Sequence, residues 1–332
     1  MEEFVISYDA STNFGIVSKP PSTSSGVWQR LISSALILDQ DSSRNNQVIR
    51  LPWFQTLSLI REYSPLQRQF SFKFITDDSS RELIRRFIQE TKEAAAAKDP
   101  NIVRLSDEQI TERLLVLGFT KRNLRWFQNR DVSRLASIPN GANFSVPGAG
   151  KTTVTLAIHL LTCNADDKLL VICPKAAFTA WDEIIEACIN PSDGWPYQST
   201  KFINLSKEDD REIVMQFTNP ENKFFYINYE GFVSKKDVFS FLISTNPTHL
   251  VLDESHRMKA GQLSQRGAAL LSIANLPKRK DILSGTPMPQ DSFDLQAQLD
   301  FLWPGSSLGL RVQRGESPAS VINGLYTRTT KE

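Results

Sequence analysis

The chain has 332 residues, 40% hydrophobic and 23% charged, the balance of a folded globular protein of about two domains. Lys and Arg total 38 against 37 Asp and Glu, with 16 basic and 15 acidic residues up to Arg122 and 22 of each beyond it. This excludes a polybasic tail and capture of nucleic acid by bulk charge, so any DNA or RNA contact must be local and geometric.

In chain order, residues 4–8, 35–38 and 70–75 read as short strands. Residues 19–26, rich in Pro and Ser, read as a loop. A helix is predicted from Ser80, with Leu83, Ile84, Phe87 and Ile88 at helical spacing. It runs into residues 93–98, which have strong helix propensity and little to pack, and so read as an exposed helical spacer stopped at Asp99-Pro100. Ser106 and Gln109 form a capping-box pattern ahead of Ile110, Leu114 and Leu117, and Gly118 ends that helix. Residues 1–118 thus form a small α+β accessory domain without visible chemistry.

From Leu124 the pattern turns regular. Strand-like runs at 142–146, 169–173, 201–205, 224–228, 249–252 and 280–283 alternate with helix-like stretches at 152–161, 178–189, 209–217, 236–243 and 264–274. Such alternation predicts an α/β domain over 119–332, a parallel sheet with helices on both faces and ligands at the C-terminal strand ends. No apolar run approaches the ~20 residues of a membrane span, and the acidic N-terminus does not read as a secretory signal. Cys163, Cys173 and Cys188 form no close pair, and no two of the three histidines are spaced as a metal pair. A reducing cytosolic compartment is expected, and a zinc site is not.

Three strand ends carry chemistry. Residues 145–152 (Ser-Val-Pro-Gly-Ala-Gly-Lys-Thr) lie between a strand and a helix, where Gly148 and Gly150 allow the backbone around Pro147, Ala149 and Thr153 to cradle phosphate. Lys151 is expected to reach the β- and γ-phosphates of ATP and Thr152 to ligate Mg²⁺, although Ser145 stands where this pattern usually has its first glycine. The strand at 249–252 ends in Asp253-Glu254-Ser255-His256, an acidic pair suited to hold the Mg²⁺ shell (Asp253) and to polarise the attacking water (Glu254). Ser284, Gly285 and Thr286 end a further strand, where their hydroxyls can relay the state of the γ-phosphate.

These segments together resemble the first RecA-like lobe of the Swi/Snf-like DNA translocases of helicase superfamily two. Residues 124–128 (Leu-Arg-Trp-Phe-Gln) resemble the adenine-reading glutamine motif, 145–152 motif I, 170–174 with Trp181 motif Ia, and 227–230 motif Ib. Residues 253–259 resemble the Asp-Glu-Ala-His motif II with a basic extension, 284–287 motif III followed by family-like residues 293–302, and 326–331 the segment that closes the lobe. The resemblance implies that Gln128 reads the adenine edge with Phe127 or Arg125 near the base, that His256 couples nucleotide state to motif III, and that Lys175 and Thr179 touch the phosphates of double-stranded DNA. For Trp126 and Phe127, packing in the core of an amphipathic helix is the stronger expectation.

Only 45 residues follow Pro287, whereas a second RecA-like lobe needs roughly 100–150. The expectation is therefore a truncated motor whose second lobe, in cis or from a partner chain, supplies the arginine fingers. Alone it should bind MgATP weakly to moderately and turn it over poorly. A restriction-type helicase motor and a nucleotide-dependent scaffold without turnover remain as alternatives. The short spacing from Gln128 to Lys151 and the lack of a chromatin-reading segment lean towards a prokaryotic, nucleoid-associated protein.

Overall fold

The structure, a computed structural model, describes residues 1–20, 26–39, 42, 47–99 and 101–330. The first 76 residues contain a small mixed sheet of four strands, β1 (Glu2–Asp9), β2 (Phe14–Ser18), β3 (Val48–Pro52) and β4 (Phe72–Thr76), in the order β3-β2-β1-β4. Strands β1–β2 and β2–β3 are antiparallel, while β4 returns parallel to β1. Helices α1 (Gly26–Leu38) and α2 (Trp53–Tyr63) close a core built on Phe4, Trp28, Trp53 and Phe72. Helix α3 (Asp78–Ala96), capped by the Asp77 side chain on Ser80 N–H, packs on β1 and leads away from this sheet.

Residues 35–38 are the last turn of α1 and not a strand. Val27, Trp28, Leu31 and Ala35 recur at helical spacing and bury one face, which leaves Leu36 and Ile37 exposed. A run of four apolar residues fits either period, and tertiary burial decides. Residues 93–98 are likewise no exposed spacer: Ala94 and Ala97 are buried in the larger core, and the carbonyl of Ala97 lies 2.2 Å from where a Cβ on Gly324 would sit. Their small side chains allow close approach, which sequence alone reads as having nothing to pack. Residues 21–25 of the expected loop, Pro100 of the expected helix stop, and Lys331 and Glu332 lie outside the described residues.

After α4 (Asp107–Val116), which opens with the expected Ser106–Gln109 capping box, and α5 (Trp126–Ala136), the chain builds a seven-stranded sheet. Its strands are β5 (Asn140–Asn143), β6 (Lys168–Cys173), β7 (Ile203–Asn204), β8 (Phe224–Asn228), β9 (Thr248–Asp253), β10 (Arg279–Leu283) and β11 (Tyr326–Thr327). They run in the order β11-β5-β10-β9-β6-β8-β7, and all their pairings are parallel. The expected strand at 201–205 contracts to the two residues of β7, at the sheet's edge.

Helices α6 (Lys151–Thr162), α7 (Phe178–Cys188), α8 (Asp210–Thr218), α9 (Tyr229–Ser234), α10 (Lys236–Thr245), α11 (Gln265–Ser272) and α12 (Gln296–Leu302) surround the sheet. Strands β6, β8 and β9 are buried along their whole length, as expected of strands covered on both faces. Among the described residues no helix is long and apolar enough to cross a membrane.

The small sheet docks onto the large one through polar contacts. Asn13, in the β1–β2 turn, exchanges amide hydrogen bonds with Asn275 at 3.0 Å and also donates to the carbonyl of Ser272. Arg86 of α3 donates to the carbonyls of Asn275, Pro277 and Lys278 and is itself held by Glu90 at 2.9 Å.

Candidate functional site

The C-terminal ends of β5, β10, β9, β6 and β8 face one edge of the sheet. Leu283 pairs with both Asn143 and Asp253, so β10 separates the loop after β5 from the acidic end of β9. Two strand spacings, about 10 Å, therefore span the gap that a nucleotide's phosphates and a cation have to bridge.

The loop after β5 turns through Gly148 (φ +86°) and Gly150 (φ +79°), left-handed conformations that glycine adopts without steric cost. A Cβ on Gly150 would lie 2.3 Å from Gln128 Nε2, whereas nothing lies within 4 Å of one on Gly148. Pro147 and Gly148 are exposed, and Ala149 is half-buried. Helix α6 begins at Lys151 without any side-chain cap, so its first N–H groups carry the partial positive charge of an uncapped N-terminus. That is the arrangement an anion such as a polyphosphate fits. Lys151 Nζ folds back to donate to the carbonyl of Ser145 at 3.0 Å. Thr152 is half-buried on the first turn. Thr153 is buried and accepts a hydrogen bond from Arg122 at 3.0 Å, so its hydroxyl serves the base of the helix.

Ser145, in place of the usual glycine, has its own work. Its hydroxyl accepts from Thr329 N–H at 2.9 Å and lies 3.3 Å from Asp131 Oδ2, while Phe144 and Val146 N–H donate to the carbonyls of Thr327 and Thr329. The segment after β11 is thereby tied to the loop, a link the spacing of the motif does not reveal.

At the end of β9, Asp253 is 9% exposed. Its Oδ2 accepts from the indole N–H of Trp181 at 3.1 Å, its Oδ1 accepts from Glu254 N–H at 3.0 Å, and its backbone carbonyl accepts from the hydroxyl of Tyr229 at 2.8 Å. Burial pushes the Asp253 pKa up, the Trp181 hydrogen bond opposes this, the Glu254 charge adds to it, and Lys151 pulls it down. A desolvated carboxylate beside a second carboxylate is a place where a divalent cation fits. Glu254 has φ +54°, a left-handed conformation in a non-glycine residue and a local strain of the kind found at functional sites.

His256 Nδ1 lies 3.0 Å from Ser284 Oγ and 3.4 Å from Glu254 Oε2. Burial lowers the His256 pKa, with Arg257 and Lys259 acting in the same direction and Glu254 and Asp294 opposing them. Ser284 Oγ also accepts from Thr286 N–H at 3.2 Å. A Cβ on Gly285 would fall 2.8 Å from Pro147 Cδ, which sets the 284–287 loop directly against the phosphate loop. A second bridge joins the two segments through a residue that sequence reading did not single out: Ser255 Oγ donates to Gln298 Oε1 at 2.6 Å, and Gln298 Nε2 donates to the carbonyl of Pro287 at 2.8 Å.

The remaining expected residues are more scattered. The Gln128 amide lies beneath the phosphate loop, with Oε1 accepting from Arg125 N–H at 2.9 Å and Nε2 donating to the carbonyl of Ala149 at 3.1 Å. The amide is thus held at both ends, and Gln128 is buried. Trp126 is 67% exposed, with the Arg130 guanidinium 5.7 Å from its ring, so it is not the core residue expected; the buried stripe of α5 is Gln128, Asp131, Val132 and Leu135. Lys175 and Thr179 are both exposed, beyond the C-terminal end of β6. The aromatic residues of the neighbouring segments, Trp181 and Tyr229, instead hold Asp253, a role legible only from the fold.

A family model described as the SNF2-related domain matches residues 67–311. Among curated proteins of Arabidopsis thaliana, the chain is 28% identical over 195 residues to Protein CHROMATIN REMODELING 25, covering 56% of this chain and 20% of the relative. It is 26% identical over 208 residues to Probable ATP-dependent DNA helicase CHR12, covering 59% and 17%. The chain thus spans about a fifth of the length of the curated relatives it matches. The crystal structure of the UvsW helicase from Bacteriophage T4 aligns with a TM-score of 0.45 and 16% identity, over 89% of this chain and 96% of that one.

Proposed function

Because the chain belongs to the SNF2-related domain family, we propose that residues 119–332 form the ATP-binding lobe of a DNA-dependent ATPase that moves along double-stranded DNA when a second RecA-like lobe, in cis or from a partner chain, closes on it. The observation that carries this reading is the convergence, at one sheet edge, of an uncapped helix N-terminus with Lys151, the buried Asp253 beside Glu254, and the His256–Ser284 contact.

In this reading ATP is the substrate. The N–H groups around Gly148, Ala149 and Gly150 hold its phosphates, and Lys151 exchanges the Ser145 carbonyl for a phosphate oxygen. Thr152 and Asp253 would hold Mg²⁺, which when bound would offset the negative charge that develops on the phosphates. Glu254 orients the attacking water and accepts its proton. His256, bonded to Ser284, passes the state of the γ-phosphate to residues 284–287, and Gln298 reinforces that path. Gln128 senses the adenine and the phosphate loop together. Lys175 and Thr179 contact DNA phosphates, which positions the lobe without reading sequence. Residues 1–118 act as an accessory domain. Arginines of the second lobe supply a contribution typically worth about 10³–10⁵ in rate, so this lobe alone turns ATP over slowly.

The test is titration of the folded chain with a fluorescent ATP analogue and Mg²⁺. Lys151→Ala should weaken binding by at least about tenfold, the loss of one charge-assisted contact. Gln128→Ala should weaken it too, while Glu254→Gln should keep binding and lose turnover. Absence of saturable binding by folded protein, or binding indifferent to Lys151→Ala, would overturn the proposal.

A further inference from the structure

The edge of the sheet opposite the nucleotide crevice holds a second cluster of reactive side chains. Helix α6, which starts at Lys151, carries His159 in its last turn and is followed directly by Cys163, and β9, which ends at Asp253, starts with Thr248 and His249. Parallel packing of these elements brings His159, Cys163 and His249 together, with one ligand atom from each within 4.8 Å of the others. The two histidines are ninety positions apart, so their meeting is invisible to a search for spaced pairs.

The geometry is that of a metal site with an outer layer. His159 Nδ1 and His249 Nδ1 are 3.2 Å apart, close to the ligand–ligand edge of about 3.3–3.4 Å in a tetrahedron with metal–nitrogen bonds of about 2.0–2.1 Å. The His249 Nε2 nitrogen is 2.7 Å from Asp281 Oδ2, which commits its N–H to the carboxylate and leaves Nδ1 as the lone-pair nitrogen facing the cluster. Asp281 is in turn fixed by Arg279, whose Nε and Nη2 donate to its two oxygens at 2.7 and 3.1 Å. Both imidazoles are fully buried, whereas Cys163 is only half-buried and provides a way in. A thiolate with two imidazoles suits zinc and disfavours magnesium, a hard ion that takes oxygen ligands.

We propose that His159, Cys163 and His249 bind a zinc ion through three protein ligands, with water in the fourth position. The ion pins the end of α6 to the beginning of β9, the two elements whose far ends carry Lys151 and Asp253. The site is separate from the magnesium site of the nucleotide crevice and does not depend on the proposed ATPase reading.

The experiment is metal titration of the full chain after chelation, under reducing and anaerobic conditions, with Co²⁺ as a coloured stand-in for zinc. One equivalent should bind and give the strong visible absorption of tetrahedral cobalt together with a thiolate-to-cobalt charge-transfer band, both abolished by zinc. Cys163→Ser, a near-isosteric change, should abolish the charge-transfer band, and Cys188→Ser, which alters a buried thiol elsewhere, should leave it intact. Excess zinc should raise the melting temperature of the wild type by a few degrees and that of Cys163→Ser by much less. Folded wild-type chain that shows no charge-transfer band with a several-fold excess of cobalt would overturn the proposal, as would a band that survives in Cys163→Ser. The wild-type titration decides the matter even if the variant fails to fold.

Discussion

The indole N–H of Trp181 donates to Asp253 Oδ2 at 3.1 Å, which joins α7 to the acidic end of β9. With Glu254 N–H on Oδ1, each oxygen of this buried carboxylate has one protein donor and keeps lone-pair capacity for a cation. Trp181→Phe keeps the aromatic packing and removes that donor. It should cost about 1–3 kcal/mol of stability, the usual penalty of leaving a buried acceptor unpaired, and weaken Mg²⁺-dependent binding of an ATP analogue several-fold. Denaturant unfolding and a nucleotide titration at several Mg²⁺ concentrations check this. A variant unchanged in both would mean that the bond does not hold Asp253.

Gly150 is constrained in two ways, by φ +79° and by Gln128 Nε2 at 2.3 Å from the position of a Cβ. Gly150→Ala should cost about 1–2 kcal/mol for the left-handed backbone and more for the displaced amide. It should also abolish nucleotide binding, because the loop N–H groups move. Adding Gln128→Ala should recover the steric part of the stability loss and none of the backbone part. A double-mutant cycle in denaturant separates the two; full recovery would show that the left-handed conformation costs nothing here.

Arg86 reaches from α3 to three carbonyls of the segment between α11 and β10, a fan of donors that a lysine cannot reproduce. Arg86→Ala should destabilise the chain by about 1–3 kcal/mol, since it leaves partly buried carbonyls unpaired, and Arg86→Lys should restore little of this. Nucleotide affinity should not change, because these carbonyls lie at the sheet edge away from Lys151 and Asp253. Unfolding curves and the analogue titration on both variants provide the check.

The parallel sheet is legible in the sequence because strands buried on both faces are apolar throughout, as in β6 and β8, and because Gly148 and Gly150 punctuate the step from strand to helix. The positions of Lys151, Asp253, His256 and Ser284 at adjacent strand ends follow from that pattern. Contacts across the sheet do not: Trp181 and Tyr229 on Asp253, and Gln298 between Ser255 and Pro287, depend on which strands become neighbours. The small sheet is the least legible part. Its β2 has only five residues, and Gly15 in it has no room for a side chain beside Thr56, so no alternating pattern marks it.

Lys280, the second residue of β10, is 1% exposed, with Nζ donating to the carbonyl of Ala274 at 2.7 Å. Burial lowers its pKa to about 7, and the nearby Glu90 opposes this only in part. The sign of the effect follows. Below about pH 7 the ammonium is charged in both folded and unfolded chains, and folding bears the full cost of burying it. Between about pH 7 and the ordinary lysine value of about 10.4, the unfolded chain binds a proton that the folded chain has released, so stability rises with pH. Lys280→Met removes the charge and keeps the length of the side chain, at the cost of the bond to Ala274. The variant should therefore gain on the wild type by about 1–3 kcal/mol near pH 6.5, and the gain should shrink or reverse near pH 9.5 as the wild-type lysine becomes neutral. Urea unfolding of both proteins at the two pH values measures the difference directly. Parallel pH dependences would mean that Lys280 keeps its ordinary pKa, and hence that water reaches its ammonium inside the sheet.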